Sequence, residues 1–280
     1  MEAVVHQPVV REIRCKTVLN RCAINDYPLN CYRGCPHGCV YCYARFMERF
    51  HEHPEPWGEF VDVKVNAAEA LERQLRRATP GSVFVSSACD GWQPIEEERA
   101  LTRECCRLLV ARGFQINALT KSALILRDLD VFAGHEATVG TTVTTLDPTL
   151  KALWEPRADN VEDRFRIVQH ARDAGLDTSI MFGPLLPFVY DNQDAVNALL
   201  ERAADAQVDR IWVDALNPRP KVWPSVAGLL GRVQPGLCER YRYVLYSPKI
   251  RKAYLAGLRD RVERATKRYH LEGRVSTVFA

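Results

Sequence analysis

Val61-Asp62-Val63-Lys64-Val65-Asn66-Ala67-Ala68-Glu69-Ala70-Leu71 changes its hydrophobic period in mid-run. Up to Val65 apolar and polar residues alternate, as on a pleated strand with one face exposed. From Asn66 onward the apolar residues Ala70, Leu71, Leu75 and Ala78 recur at helical spacing. Asn66 is the candidate N-cap of that helix, with Glu69 as its capping-box partner. The stretch therefore reads as a strand feeding a helix.

The same change of period recurs downstream. Val83-Phe84-Val85 reads as a buried strand, followed by a helix carrying Leu101, Cys105, Leu108 and Leu109. Residues 116–119 form the next expected strand, with a helix at about 124–132. Residues 138–143 are β-branched and strand-like, followed by helical segments from Pro148 and at about 160–174. Residues 178–182 precede a helix bearing Val196, Leu199, Leu200 and Ala203, and Ile211-Trp212-Val213 closes the series. Strands alternating with helices imply βαβ units, a parallel sheet and right-handed crossovers. Six such strands follow a cysteine-rich segment, and a further one is expected at about 29–33. The expected fold is α/β, a partial (β/α)6 TIM-type barrel. Its expected divisions are an N-terminal extension (1–27), the barrel (28–220) and a mostly helical C-terminal extension packed on it (221–280). Helices are expected there at 225–232 and about 248–269.

Composition sets the frame. Of 280 residues 47% are hydrophobic and 26% charged, which excludes a disordered chain. A net charge of +3 does not by itself mark a nucleic-acid protein. The first residues lack the basic-then-apolar pattern of a signal peptide, and no apolar run reaches membrane-spanning length. A cytoplasmic location with no membrane partner is expected, where ten cysteines serve as thiols or ligands rather than disulfides.

Six of those cysteines lie between Cys15 and Cys42. Among them Cys35, Cys39 and Cys42 have CxxxCxxC spacing. Three thiolates on one loop can each hold one iron of a cubane and leave the fourth iron open to an external ligand. A closed site remains the alternative, with Cys31 as fourth ligand, or His37 joining a zinc site. Zinc ribbons, however, present two separated knuckles, and here there is one compact run. Cys15, Cys22 and Cys31 are also candidates for an auxiliary cluster, with irregular spacing against that role.

The polar residues that follow the expected strands are Cys89 and Asp90, Lys121, Thr142 to Thr145, Gly183-Pro184 and Asn217. In a parallel barrel the strand C-termini form the functional rim, so these residues should meet at one mouth.

The run Asn30-Cys31-Tyr32-Arg33-Gly34-Cys35-Pro36-His37-Gly38-Cys39-Val40-Tyr41-Cys42-Tyr43-Ala44-Arg45 resembles the N-x-Y-x-G-C-x-H-G-C-x-Y-C-Y-A-R signature of the spore photoproduct lyase-related branch of the radical S-adenosylmethionine (SAM) superfamily. Asp90-Gly91-Trp92-Gln93-Pro94-Ile95-Glu96, Thr120-Lys121-Ser122, Thr144-Thr145-Leu146-Asp147 and Glu155-Pro156-Arg157 with Arg164 extend the resemblance in order. The resemblance implies a [4Fe–4S] cluster on Cys35, Cys39 and Cys42 that cleaves SAM reductively. A 5′-deoxyadenosyl radical would then abstract hydrogen from a substrate. It further implies adenine contact by the backbone around Tyr41. Lys121 and Thr142 would hold the SAM carboxylate or amino end, with Asp90 near the same pocket. Cys89 would be a hydrogen-atom donor with Tyr43 as relay, and an external one-electron reductant of flavodoxin or ferredoxin type would be needed. The plain alternatives are a solvated Lys121 and a Cys89 that is only a buried thiol. A DNA photolesion is one substrate that the resemblance allows; an RNA base, a peptide or a small metabolite are others.

Residues 239–274 carry eleven Lys and Arg against four acids, with Tyr241, Tyr243, Tyr246, Tyr254 and Tyr269 interleaved. Such a segment either stacks bases beside phosphate-binding cations or packs its tyrosines inward beneath a solvated face. The first option makes a nucleic acid a candidate partner. The non-enzymatic alternative is a four-cysteine zinc or electron-transfer module with a nucleic-acid surface.

Overall fold

A computed structural model describes residues 7–21, 25–50 and 53–279. Among them the strands are β1 (Val9–Ile13), β2 (Tyr27–Leu29), β3 (Tyr32–Arg33), β4 (Phe60–Lys64), β5 (Ser82–Val85), β6 (Gln115–Thr120), β7 (Ala137–Val143), β8 (Asp177–Leu185), β9 (Arg210–Ala215) and β10 (Val275–Thr277). The helices are α1 (Ala67–Leu75), α2 (Ile95–Arg99), α3 (Leu101–Val110), α4 (Leu129–Phe132), α5 (Pro148–Trp154), α6 (Val161–Asp173), α7 (Gln193–Asp205), α8 (Val222–Val233), α9 (Cys238–Tyr246) and α10 (Pro248–Arg268). A 3-10 helix at Tyr43–Phe50 follows the cysteine loop.

Seven strands make one sheet in the order β10-β9-β8-β7-β6-β5-β2, and every pairing in it is parallel. Helices connect β5 through β9 in sequence, as βαβ crossovers require. The edge strands β2 and β10 do not pair with each other, so the sheet stays open, the arrangement of a partial (β/α)6 TIM-type barrel with β10 added.

Six barrel strands are present, but the set differs from the one read in the sequence. The run Val61 to Val65 was counted in the barrel, yet β4 belongs to a separate sheet, parallel to β1 and antiparallel to β3. The first barrel strand is instead β2. Nor is β4 half-exposed. Phe60, Val61, Asp62 and Val63 are all buried, because Arg33 and His53 pair Asp62 on the face that alternation assigned to solvent. Asn66 also departs from expectation. Its φ of −108° and ψ of 24° do not suit an N-cap, and its amide clamps Cys15, accepting from the Cys15 N–H at 2.8 Å and donating to its carbonyl at 2.9 Å. Glu69 pairs with Arg14 and Arg73 instead of closing a capping box.

The helix stripes read well. In α7 the buried residues include Val196, Leu199, Leu200 and Ala203, with Asn192 capping the Ala195 N–H. Leu255, Leu258 and Val262 of α10 join that apolar cluster. Residues Val222, Val226 and Leu229 of α8 and Tyr241 of α9 pack with Cys39, Tyr41 and Trp154. The C-terminal tyrosines divide: Tyr241 is fully buried, whereas Tyr243 and Tyr246 are exposed. No helix among the described residues is long and apolar enough to cross a membrane.

Candidate active site

The chain leaves β2 at Leu29 and enters the cysteine loop at the C-terminal end of the sheet. Two short turns wind the loop, Gly38 N–H to the Cys35 carbonyl at 3.3 Å and Cys42 N–H to the Cys39 carbonyl at 3.2 Å. Gly38 has a φ of +61°, and a Cβ there would fall on the Arg157 guanidinium. Only glycine meets both conditions. Arg157 uses that space to bond the Pro36 and Gly58 carbonyls and the Glu59 carboxylate, which fixes the loop from above.

Cys35, Cys39 and Cys42 are close enough to influence one another's charge. Burial pushes all three thiols upward, Cys39 to about 12, and Cys35 is raised further by Asp90 and its two partner cysteines. Backbone N–H groups already point at two of the sulfurs: Asp90 at Cys35, Ala44 and Arg45 at Cys42. Lys121 and Arg164 bring positive charge to Cys39. Among the described residues no three His, Cys, Asp or Glu side chains converge on a single ion.

Cys31 points elsewhere. Its thiol is buried against Cys105 in the core behind the loop, and the charges acting on it include Glu96 and Lys64. It does not complete a four-cysteine set. Cys15 is half-buried under the Asn66 clamp, and Cys22 lies outside the described residues, so an auxiliary set is not assembled among the residues described.

A belt of polar contacts joins the loop to four strand ends. Asp90, after β5, accepts from the Thr120 hydroxyl at 2.6 Å, the Lys121 N–H at 2.8 Å and the Trp92 N–H at 2.9 Å. His37 from the loop lies 3.5 Å from the same carboxylate and is held below its ordinary range by burial. The Lys121 ammonium sits 5.8 Å from the Tyr41 ring centroid. The Tyr41 hydroxyl donates to Glu155, and Thr144 bridges Tyr41 at 3.0 Å to the Gly183 carbonyl of β8 at 3.1 Å. Burial raises the Glu155 carboxyl, but Arg164 and Lys121 outweigh it and keep it below the usual range. Arg164 is fully buried, 2.6 Å from Glu155, and donates to the Thr142 carbonyl at 2.9 Å.

Lys121, Thr142 and Tyr41 thus lie in one neighbourhood, with Asp90 accepting from three donors. Glu155, Arg157 and Arg164 fall in a sequence motif whose spacing gives them no individual role. What they do depends on the fold returning them over residues 36–41, which spacing does not reveal.

On the other side of the loop the Tyr43 hydroxyl donates to the Ser87 carbonyl. Burial raises its pKa, and Cys42, Cys89 and Asp214 raise it further. Tyr43 therefore stands within electrostatic range of a cluster-loop sulfur, of the Cys89 thiol and of a carboxylate at the end of β9. The Cys89 sulfur lies 3.6 Å from Asn30 Oδ1 and is pushed up to about 12 by burial, despite Lys64. Asp214 is raised by burial against the Ala215 N–H and Arg251.

An open parallel sheet with three closely spaced thiols, two of them buried, on the loop after its first strand is the arrangement of a radical SAM protein, and relatives of known family agree. The model of the radical SAM superfamily matches residues 29–200, and the chain belongs to that superfamily. An uncharacterized protein of Mycobacterium tuberculosis (strain ATCC 25618 / H37Rv) is 31% identical over 277 residues, covering 94% of this chain and 81% of that protein. An uncharacterized protein of Methanocaldococcus jannaschii is 32% identical over 166 residues, 59% of this chain and 62% of that protein. Among solved structures, a spore photoproduct lyase variant with bound AdoMet and dinucleoside spore photoproduct superposes with a TM-score of 0.72 at 13% identity, over 97% of this chain and 81% of that one, a likeness of fold. The superfamily's cofactors are a [4Fe–4S] cluster and SAM. The three thiols, the N–H groups aimed at their sulfurs and the buried Arg45 Nε, which has no partner of its own, fit that cluster.

Proposed function

We propose that the chain is a SAM-cleaving enzyme whose cluster ligands are Cys35, Cys39 and Cys42. The observation that carries this reading is the winding of Cys35, Cys39 and Cys42 onto one loop at the sheet's mouth, with Cys31 packed into the core against Cys105. When bound, the cluster and SAM supply reductive cleavage of a sulfonium carbon–sulfur bond and a 5′-deoxyadenosyl radical for hydrogen abstraction. The protein's part is to hold and to exclude. Lys121 offers a cation for the SAM carboxylate, and Thr142 lines the neighbouring strand end. Tyr41 and Glu155 fix the loop whose backbone around Tyr41 would contact the adenine. Cys89 would give a hydrogen atom to the substrate radical and Tyr43 would relay one to the resulting thiyl, a pairing supported by the proximity of the two side chains. An external one-electron reductant would supply the electron for cleavage.

A nucleic-acid base is the substrate class we favour. Phe46, on the 3-10 helix beside the mouth, has the Arg49 and Arg219 guanidiniums 5.7 and 6.0 Å from its ring centroid, a surface suited to a base and its phosphate. The test is anaerobic reconstitution with iron and sulfide, then dithionite and SAM. About four irons per chain and formation of 5′-deoxyadenosine are expected, both surviving Cys31→Ala and both lost in Cys39→Ala. One bound zinc, or loss of the cluster in Cys31→Ala, would overturn the proposal. Single-stranded DNA carrying ultraviolet lesions, undamaged DNA and RNA, supplied in turn, should reveal the substrate by consumption of SAM above the background rate.

A further inference from the structure

Arg45 closes the signature run, and nothing in the reaction described so far uses it. It stands three residues after Cys42, on the first turn of a 3-10 helix, where residues three apart lie one above the other. Its Nη2 donates to the Cys39 carbonyl at 3.2 Å, which turns the guanidinium inward over the loop. Its Nε is buried and has no hydrogen-bond partner. The charge felt most strongly by this guanidinium, after burial itself, is that of Cys42, ahead of Glu48 and Cys39. A buried N–H on a cation is costly to leave without an acceptor, and this guanidinium is held over the loop that carries the Cys39 and Cys42 sulfurs.

We propose that Arg45 donates its Nε–H to the Cys42 thiolate sulfur or an adjacent sulfide and thereby raises the cluster's reduction potential. The inference rests on the three-thiol assignment above. A hydrogen bond and a positive charge beside the sulfurs favour the reduced cluster, which carries one more negative charge. The consequence falls on the reductant: the enzyme accepts an electron from a weaker donor than it would without Arg45.

The experiment is a dithionite titration followed by electron paramagnetic resonance, on wild type, Arg45→Lys and Arg45→Gln, each reconstituted and assayed for iron. In Arg45→Gln about tenfold less cluster should be reduced at a given solution potential, which for a one-electron couple is a fall of about 59 mV. Arg45→Lys retains charge but not the planar donor, and its potential should fall by a smaller step. With 15Nε-labelled arginine, pulsed measurements on the reduced wild-type cluster should show a nitrogen coupling that Arg45→Lys abolishes. If Arg45→Gln holds no iron, the lysine variant carries the test. An unchanged potential with an unchanged nitrogen coupling in Arg45→Lys overturns the inference. A wild type that takes up no iron overturns the three-thiol assignment itself, so the two failures read differently.

Discussion

At the scale of single residues, the site depends on buried charges whose partners are specified individually. Glu155 is 1% and Arg164 0% exposed, so neither can turn to water if the other is removed. Breaking such a pair from one side leaves an uncompensated charge, at a cost of about 3–5 kcal/mol. Glu155→Gln should therefore lower urea stability by about that amount and also release Tyr41, seen as faster iron loss to chelator. Unchanged stability would mean that the pair is not closed in solution. Asp214 behaves in the opposite sense, since it carries a penalty and no ion-pairing hydrogen bond. Burial raises its pKa, so the folded chain holds this proton more tightly than the unfolded chain. Ionising it consequently costs stability as pH rises from about 4, the unfolded carboxylate range, through the raised folded value. Above that value the cost is complete. Asp214→Asn removes it, and the melting temperature of the variant minus that of wild type should grow across this window and then level off. A difference independent of pH would sink the argument.

At the scale of elements, β10 has the most consequence for its size. It pairs with β9 from residues 275–277, and the Val278 N–H continues the ladder to the Val213 carbonyl at 3.0 Å. Phe279 is buried behind it, with Arg259 5.6 Å from its ring centroid and donating to its carbonyl at 3.1 Å. Phe279→Ala should cost about 3 kcal/mol by the usual penalty for emptying a core aromatic site. Ending the chain after Arg274 should do more, exposing the β9 edge and promoting self-association measurable by light scattering. A monomeric, equally stable truncation would show that the strand is ornamental. The sequence gives little warning of β10, because three residues are too few to display a period. The longer elements were legible for the converse reason: α7 has room for three turns of its stripe, and five of the seven residues of β7 are β-branched. The run Val61 to Val65 was legible as a strand but not as to its sheet. Its period reports two faces and says nothing of the neighbours at its edges, here β1 and β3. Asn66 was misread as a cap because its side chain answers to Cys15, fifty-one residues away.

At the scale of the whole molecule, the site is a closure between one loop and the ends of several strands. The three cysteines were readable in advance because local spacing alone places three thiols on one loop. Asp90, Lys121 and Thr144 were readable only as strand-end residues and Glu155 only as part of a motif, since their contacts are made by the assembled sheet. That dependence has a thermodynamic consequence. A ligand held, as proposed above, by the open iron of the cluster and by Lys121 just after β6 would tie the loop to the sheet, so its binding energy should stabilise the whole fold. At SAM one hundredfold above its dissociation constant the gain is about 2.7 kcal/mol, or roughly 5 °C in melting temperature for a chain of this size. The shift should appear in anaerobically reconstituted wild type, vanish in Cys39→Ala, and shrink in Lys121→Ala without loss of iron. Differential scanning fluorimetry with a SAM titration would read all three. If SAM stabilised the iron-free chain equally, its anchor would be the protein mouth alone, and the cluster would have to act on it from a distance instead of through a bond.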